Sequence, residues 1–422
     1  MEKFLISGGS SLSGKIRVKG AKNSILPILA ASLLTSEKVE LKDVPDISDV
    51  KVMLNILECL GVKVTRGKGV LILEPGSLYT SEIPESLMCE MRSSIFLMGP
   101  LLGRLGKVKV SYPGGCDIGP RPIDLHLKGL ISMGVKIQEE NGCVRAEVKS
   151  LKGSDIHLDF PSVGATENIM MAAIYAQGTT QIHNAAKEPE IIDLQNFLNK
   201  MGAKVKGAGT DTIKIEGVKN LKDVSYTLIP DRIAAGTLII AAAITRGELM
   251  LENVIPEHLE AVIAKLREAG AEIWEEADVL HVKGGTIKSI QSVRTLPYPG
   301  FPTDMQAQTM ALLTLAQGTS VITENVFDGR FSLVNELKKL GAEITVQGRS
   351  AVIQGVEKLH GAVVKAPDLR AGAALVLAGL AAEGHTIIEE IHHIDRGYES
   401  FEETLKKLGA NIKRVGAPAV NV

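Results

Sequence analysis

Two hydrophobic periods, one helical and one of strands, alternate along this chain in a pattern that recurs six times. Val50, Met53, Leu57 and Leu60, and again Tyr398, Phe401, Leu405 and Leu408, share one helical face through their i, i+3, i+7 spacing. Six such helices run into a glycine and then a strand, at Leu60-Gly61-Val62, Met133-Gly134-Val135, Met201-Gly202-Ala203, Ala269-Gly270-Ala271, Leu340-Gly341-Ala342 and Leu408-Gly409-Ala410. The glycines are 73, 68, 68, 71 and 68 residues apart, so the chain reads as six units of one design. Glycine in that place is expected to stop the helix by taking the left-handed conformation.

Upstream in each unit lies a helix of another kind. Residues 233–244 and 369–380 are Ala-rich and apolar nearly all round, and a helix without a polar face has to be surrounded. Short strands follow, as at 248–251 and 386–388. Each unit is therefore expected to run buried helix, strand, amphipathic outer helix, strand and a further hairpin strand. That is an α/β design with helices inside as well as outside. The last unit lacks the trailing strands found at 351–355 and 361–365, and residues 4–8 and 14–19 carry the same pattern. The start of the chain is thus expected to complete the sixth unit. Residues 22–229 then form one domain of three repeats, and residues 1–21 with 230–422 form a second, discontinuous one of three. A cleft between two such halves is the expected ligand site.

Composition narrows the function. The chain is 45% hydrophobic and 23% charged, with a formal net charge of −2, so the basic footprint of a nucleic-acid binder is missing. An anionic ligand has to be met by a local cluster of Lys and Arg. Cys59, Cys89, Cys116 and Cys143 are spaced 30, 27 and 27 apart, which fits neither a zinc ribbon nor a disulfide framework and points to a reducing, cytoplasmic setting. The apolar runs at 234–245 and 371–382 fall short of the ~18–20 residues of a membrane span, and the N-terminus has no signal core, so no membrane span is expected.

Candidate chemistry falls at the breaks in the pattern. Residues 112–122 are too broken by Gly and Pro for helix or strand, and Cys116 sits among them five residues before Arg121. A nearby cation favours the thiolate, so Cys116 is either a reactive thiol or a small residue on a hairpin tip. The buried helices are expected to begin near Asn23, Arg92, Thr166, Arg232, Asp304 and Arg370, where unpaired N–H groups and the dipole favour anions. Arg is a poor N-cap, so its recurrence there points to an anion. Lys22, Arg121, Arg330 and Arg396 lie around these starts, and Arg suits phosphate and carboxylate bidentately. Asp304 is either a cap or a general base. His392 and His393 are expected on a strand, pointing to opposite faces, which argues against a metal site. Residues 9–16 nearly spell a phosphate-binding loop, but Ile16 stands where Ser or Thr must hold magnesium.

Taken together, Lys22-Asn23, the Cys116 stretch through Leu125, Ser162 to Thr166, Phe301 to Asp304 and Ile394 to Tyr398 resemble the UDP-N-acetylglucosamine enolpyruvyl transferases over essentially the whole chain. The resemblance implies a pair of inside-out α/β barrels of three repeats each. It also implies transfer of the enolpyruvyl group of phosphoenolpyruvate to the sugar 3-hydroxyl of UDP-N-acetylglucosamine with release of phosphate, at the start of peptidoglycan synthesis. In that scheme Cys116 on a mobile loop protonates the methylene carbon and Asp304 takes the hydroxyl proton, with Lys22 and Arg396 also catalytic. Lys22, Asn23, Arg121, Arg330, Arg370 and Arg396 are expected to hold phosphoenolpyruvate. Arg92, Arg121, Pro122, Ile123, Asp124, Leu125, Ser162, Val163, Asp304 and Val326 are expected to hold the nucleotide sugar. Phe160-Pro161 departs from the Lys-Val of some members, so the diphosphate contact of that loop is left open by the resemblance. The scheme needs no cofactor or metal, and a cytoplasmic monomer is expected. The rival readings are transfer to shikimate 3-phosphate, whose family is not built around a Cys loop, and a non-catalytic binder of nucleotide sugar.

Overall fold

The computed structural model describes residues 2–67, 69–76, 78–112, 123–140, 142–277 and 279–416. They fall into two compact units, with boundaries between Lys19 and Gly20 and between Ile229 and Pro230.

In the unit from Gly20 to Ile229, the buried helices are Lys22–Ala31, Met98–Leu105 and Val163–Ala173. Each is followed by a strand of its own sheet: Val39–Lys42, Lys107–Ser111 and Thr179–His183. Amphipathic helices Ser48–Leu60, Asp124–Ser132 and Pro189–Lys200 come next, then antiparallel hairpins that finish the sheets. The other unit repeats the plan with buried helices Arg232–Ile244, Gln306–Leu313 and Leu369–Ala381, and strands Glu248–Glu252, Thr319–Thr323 and His385–Glu389. Apolar side chains from the inner faces of the sheets and from the helices fill one continuous core per unit. Helices inside and sheets outside make the arrangement an inside-out α/β fold.

The repeats are stitched together by strand exchange. After its hairpin, a unit sends one strand to pair in parallel with the next sheet: Val293–Arg294 on Thr319–Thr323, and Val363–Lys365 on His385–Glu389. Parallel pairing needs a long connection, and the buried helix of the next repeat supplies it, Gln306–Leu313 in the first case and Leu369–Ala381 in the second. The N-terminal segment divides on this rule, which corrects the expectation that it completes the sixth repeat alone. Lys3–Ser7 does so, between His385–Glu389 and Asn411–Val415. Ser13–Arg17 instead pairs in parallel with Glu248–Glu252 of the fourth repeat. In the Gly20–Ile229 unit, Val224–Thr227 likewise returns to Val39–Lys42. Three sheets in each unit are therefore linked in a cycle.

Local chemistry sets the helix ends. Gly61, Gly134, Gly202, Gly270, Gly341 and Gly409 all have positive φ, from 91° to 110°, as the repeat required. Two buried helices start with a 3₁₀ turn, Arg92–Leu97 and Thr303–Met305, before the α-helix proper. Pro100 contributes to the first case, because it has no N–H for a bond one turn back and is tolerated only in the first turn. Pro27 sits inside Lys22–Ala31 and leaves the Asn23 carbonyl without its usual helical donor. Among the described residues no helix is long and apolar enough to cross a membrane.

Candidate active site

At the N-terminal ends of Arg232–Ile244, Gln306–Leu313 and Leu369–Ala381, charged side chains replace the apolar core. Asp304 lies in the 3₁₀ turn after Pro302, and its side chain caps no helix. Instead it is held by two arginines. Arg330 Nη2 donates to Asp304 Oδ1 at 2.6 Å and Arg370 Nη2 to Asp304 Oδ2 at 2.9 Å. Both guanidinium side chains are nearly out of solvent, 6% and 5% exposed, while the Asp304 side chain keeps 22%. Buried charges on this scale persist only when paired, so the carboxylate and the arginines hold one another in place. Burial alone pushes the Arg370 guanidinium down, but Asp304, then Tyr398 and Asp231, raise it above its ordinary value.

Arg370 is fixed on its other side by Tyr398. Its Nη1 donates to the Tyr398 hydroxyl at 3.3 Å and its guanidinium lies 5.7 Å from that ring's centre. Thr237 Oγ1 lies 2.9 Å from the same hydroxyl, and Gln308 Nε2 donates to both. Arg396 follows the short helix His392–Asp395, close enough to His393 that burial, His392 and Arg396 together lower that imidazole's pKa.

Asp231 and Asp368, not the arginines, cap the helices. Asp231 Oδ1 accepts from the Ile233 and Ala234 amides at 2.8 and 2.9 Å, and Asp368 Oδ1 from Arg370 and Ala371 at 2.8 and 3.0 Å. The helices thus begin near Arg232 and Arg370, as expected, with neither arginine at the cap itself. Both arginines follow it, inside the first turn, because a short carboxylate reaches the free amides and a long guanidinium does not. The aspartate preceding each arginine in the sequence was the signal.

In the Gly20–Ile229 unit, Lys22 opens the first buried helix and pairs with Asp49 at 2.8 Å, the side chains 12% and 4% exposed. Asp49 comes from the first turn of Ser48–Leu60. Asn23 follows Lys22 in the same turn, and the Ser24 hydroxyl donates to Asp193, which also accepts from Tyr226 Oη at 2.5 Å. Arg92 begins its 3₁₀ turn. Ser162 caps Val163–Ala173 by accepting from the Ala165 amide at 3.3 Å, with Val163 as first helical residue. Ile123 is buried just before Asp124–Ser132, and Asp124 and Leu125 form its first turn. Cys116, Arg121 and Pro122 lie outside the described residues.

His392 and His393 belong to a helical turn rather than a strand, with ring centres 4.1 Å apart. The turn carries Ile391 and Ile394, three apart, into the core, a spacing that suits a helix and not the alternation of a strand. Its Asp395 serves Arg414, accepting from Nη1 and Nη2 at 2.9 and 2.7 Å. Among the described residues no group of three or more His, Cys, Asp or Glu side chains is placed to hold a metal.

The Gly20–Ile229 unit also buries a carboxyl that sequence reading passed over. Glu167 is 1% exposed, and neither side-chain oxygen has a hydrogen-bond partner among the described residues. Burial first, then Glu190 and Glu188, pushes its pKa well above the ordinary 4.5. The folded state therefore keeps a proton that the unfolded chain loses near 4.5, and the stability from the neutral form is lost as pH rises through the raised value. Glu167→Gln, neutral at every pH, is expected to melt above the parent at mildly alkaline pH and to match it at acidic pH near the ordinary carboxyl value. A gap independent of pH in calorimetry would show that Glu167 ionises freely.

Known proteins resemble this chain over nearly its whole length. The EPSP synthase (3-phosphoshikimate 1-carboxyvinyltransferase) family model matches residues 6–405. UDP-N-acetylglucosamine 1-carboxyvinyltransferase 2 of Carboxydothermus hydrogenoformans is 56% identical over 418 residues, covering 98% of this chain and 100% of that protein. UDP-N-acetylglucosamine 1-carboxyvinyltransferase 1 of Caldanaerobacter subterraneus is 57% identical, covering 98% and 99%. Among solved structures, the enolpyruvyl transferase NikO from Streptomyces tendae superposes with a TM-score of 0.89 at 27% identity, covering 99% of both chains. EPSP synthase from Acinetobacter baumannii shares the fold, with a TM-score of 0.77 at 21% identity and coverage of 99% and 100%. With the family model spanning nearly the whole chain and full-length relatives above half identity, the chain belongs to the EPSP synthase family, among its UDP-N-acetylglucosamine 1-carboxyvinyltransferases.

Proposed function

We propose that this protein transfers the enolpyruvyl group of phosphoenolpyruvate to the 3-hydroxyl of UDP-N-acetylglucosamine, releasing phosphate, in the cytoplasm as the first committed step of peptidoglycan synthesis. The observation that carries the chemistry is Asp304 held by Arg330 and Arg370 at the ends of buried helices. Addition to phosphoenolpyruvate builds positive character on its central carbon, so the step needs a base at the sugar hydroxyl and an acid at the methylene. Asp304 accepts the hydroxyl proton and the Cys116 thiol gives its proton to the methylene carbon, forming the new C–O bond. Loss of a methyl proton from the addition product then expels phosphate and restores the double bond. Each proton transfer contributes on the order of 10²–10⁴ in rate.

Substrate anions replace protein anions in this reading. Phosphate or carboxylate oxygens of phosphoenolpyruvate take over donors of Arg330 and Arg370, which leaves Asp304 able to receive a proton. Lys22, Asn23, Arg121 and Arg396 complete the positive clamp, where fixed donors act strongly because no solvent has to reorganise. Arg92, Arg121 to Leu125, Ser162, Val163, Asp304 and Val326 hold the nucleotide sugar. The test is release of inorganic phosphate from phosphoenolpyruvate by the purified protein with UDP-N-acetylglucosamine, with shikimate 3-phosphate, or with no acceptor. Release only with the nucleotide sugar is expected. Release only with shikimate 3-phosphate, or none with either, would overturn the assignment.

A further inference from the structure

We propose that Glu324 is a positioning residue for the reaction, acting through Asp304 and Arg330. Glu324 follows the strand Thr319–Thr323 and is 1% exposed. Its Oε1 accepts from the Thr295 hydroxyl at 2.7 Å and from the Val326 and Phe327 amides at 2.8 and 3.0 Å. Its Oε2 accepts from the Thr303 hydroxyl at 3.0 Å. One buried carboxylate thus ties together two loops: the turn that carries Asp304, through its neighbour Thr303, and the loop from Val326 to Arg330. Thr295 adds a brace, since its Oγ1 also accepts from the Asn325 amide at 2.9 Å and its carbonyl from Asn325 Nδ2 at 3.1 Å. These are the two loops whose side chains meet in the 2.6 Å Arg330–Asp304 pair.

The arrangement has a consequence for catalysis. A proton acceptor works only within hydrogen-bond reach of its donor, and misplacement by about 1 Å costs ~10²-fold in rate. Glu324 touches neither Asp304 nor Arg330 directly. It sets the backbone from which both project, and it also orients Val326, one of the positions assigned to the nucleotide sugar. The inference rests on the base role of Asp304.

The experiment compares kcat and KM for both substrates, by phosphate release, in Glu324→Ala, Glu324→Gln and Asp304→Asn, with melting curves for each. Glu324→Ala is expected to lose ~10²-fold in kcat and to raise KM for UDP-N-acetylglucosamine more than for phosphoenolpyruvate. Gln keeps an oxygen for the Val326 and Phe327 amides and turns its amide toward the Thr303 hydroxyl, which can accept, so Glu324→Gln is expected to restore most of kcat. Should Glu324→Ala fail to fold, Thr303→Val removes the single Oε2 bond and is expected to lower kcat several-fold with its melting curve unchanged. Parental kcat in Glu324→Ala or Thr303→Val, or a Gln variant as poor as Ala, overturns the proposal. If Asp304→Asn keeps the parental rate, the base assignment fails instead, whatever Glu324 shows.

Discussion

Asp304→Asn is expected to lower kcat by on the order of 10²–10⁴ while the protein still folds, since Asn keeps the shape and one acceptor but cannot take the hydroxyl proton. The same change removes the carboxylate charge that Arg330 and Arg370 share at 2.6 and 2.9 Å. Breaking a buried pair from one side costs about 3–5 kcal/mol, so the variant should also melt earlier. The two effects separate with an added anion. Inorganic phosphate, bound at the guanidinium donors that Asp304 gives up, is expected to raise the melting temperature of Asp304→Asn more than that of the parent, without restoring turnover. A variant with near-parental kcat would move the base elsewhere. A variant that phosphate does not stabilise would mean that the two arginines do not form an anion site.

Lys22→Met is expected to have the second largest effect. Its ammonium faces Asp49 at 2.8 Å with both side chains largely buried, so the substitution removes one cation from beside a buried carboxylate and destabilises the Gly20–Ile229 unit. It also removes a point charge proposed to hold phosphoenolpyruvate, which should lower kcat/KM for that substrate by about 10²-fold or more. The double variant Lys22→Met/Asp49→Asn distinguishes the roles. Stability should largely return, because the buried carboxylate charge that lost Lys22 is gone, whereas kcat/KM should remain low. Recovery of activity along with stability would reduce Lys22 to a structural partner of Asp49.

Much of this was legible in the chain because it depends on local periodicity. The left-handed glycines at 61, 134, 202, 270, 341 and 409 follow from helix-stop chemistry, and the all-apolar helices at Arg232–Ile244 and Leu369–Ala381 had to be enclosed. Asp304, Arg330 and Arg370 were readable as polar residues at helix starts and turns. Their pairing was not, since they lie far apart in sequence. His392 and His393 were read as part of a strand, although Ile391 and Ile394, three apart and both buried, have the spacing of a helical turn.

The repeat, the inside-out arrangement and the family's chemistry were thus determined by the sequence itself, because period, glycine punctuation and motif residues are all short-range. The tertiary structure decided where each strand pairs and which charges share a partner. Ser13–Arg17 joins a repeat more than two hundred residues away because a parallel edge strand must find the next sheet, not its own. Glu324 becomes an organiser of two loops only once Thr295, Thr303, Val326 and Phe327 converge on it. Burial makes that convergence consequential, because a carboxylate out of water must be satisfied by the protein and, in being satisfied, fixes whatever satisfies it.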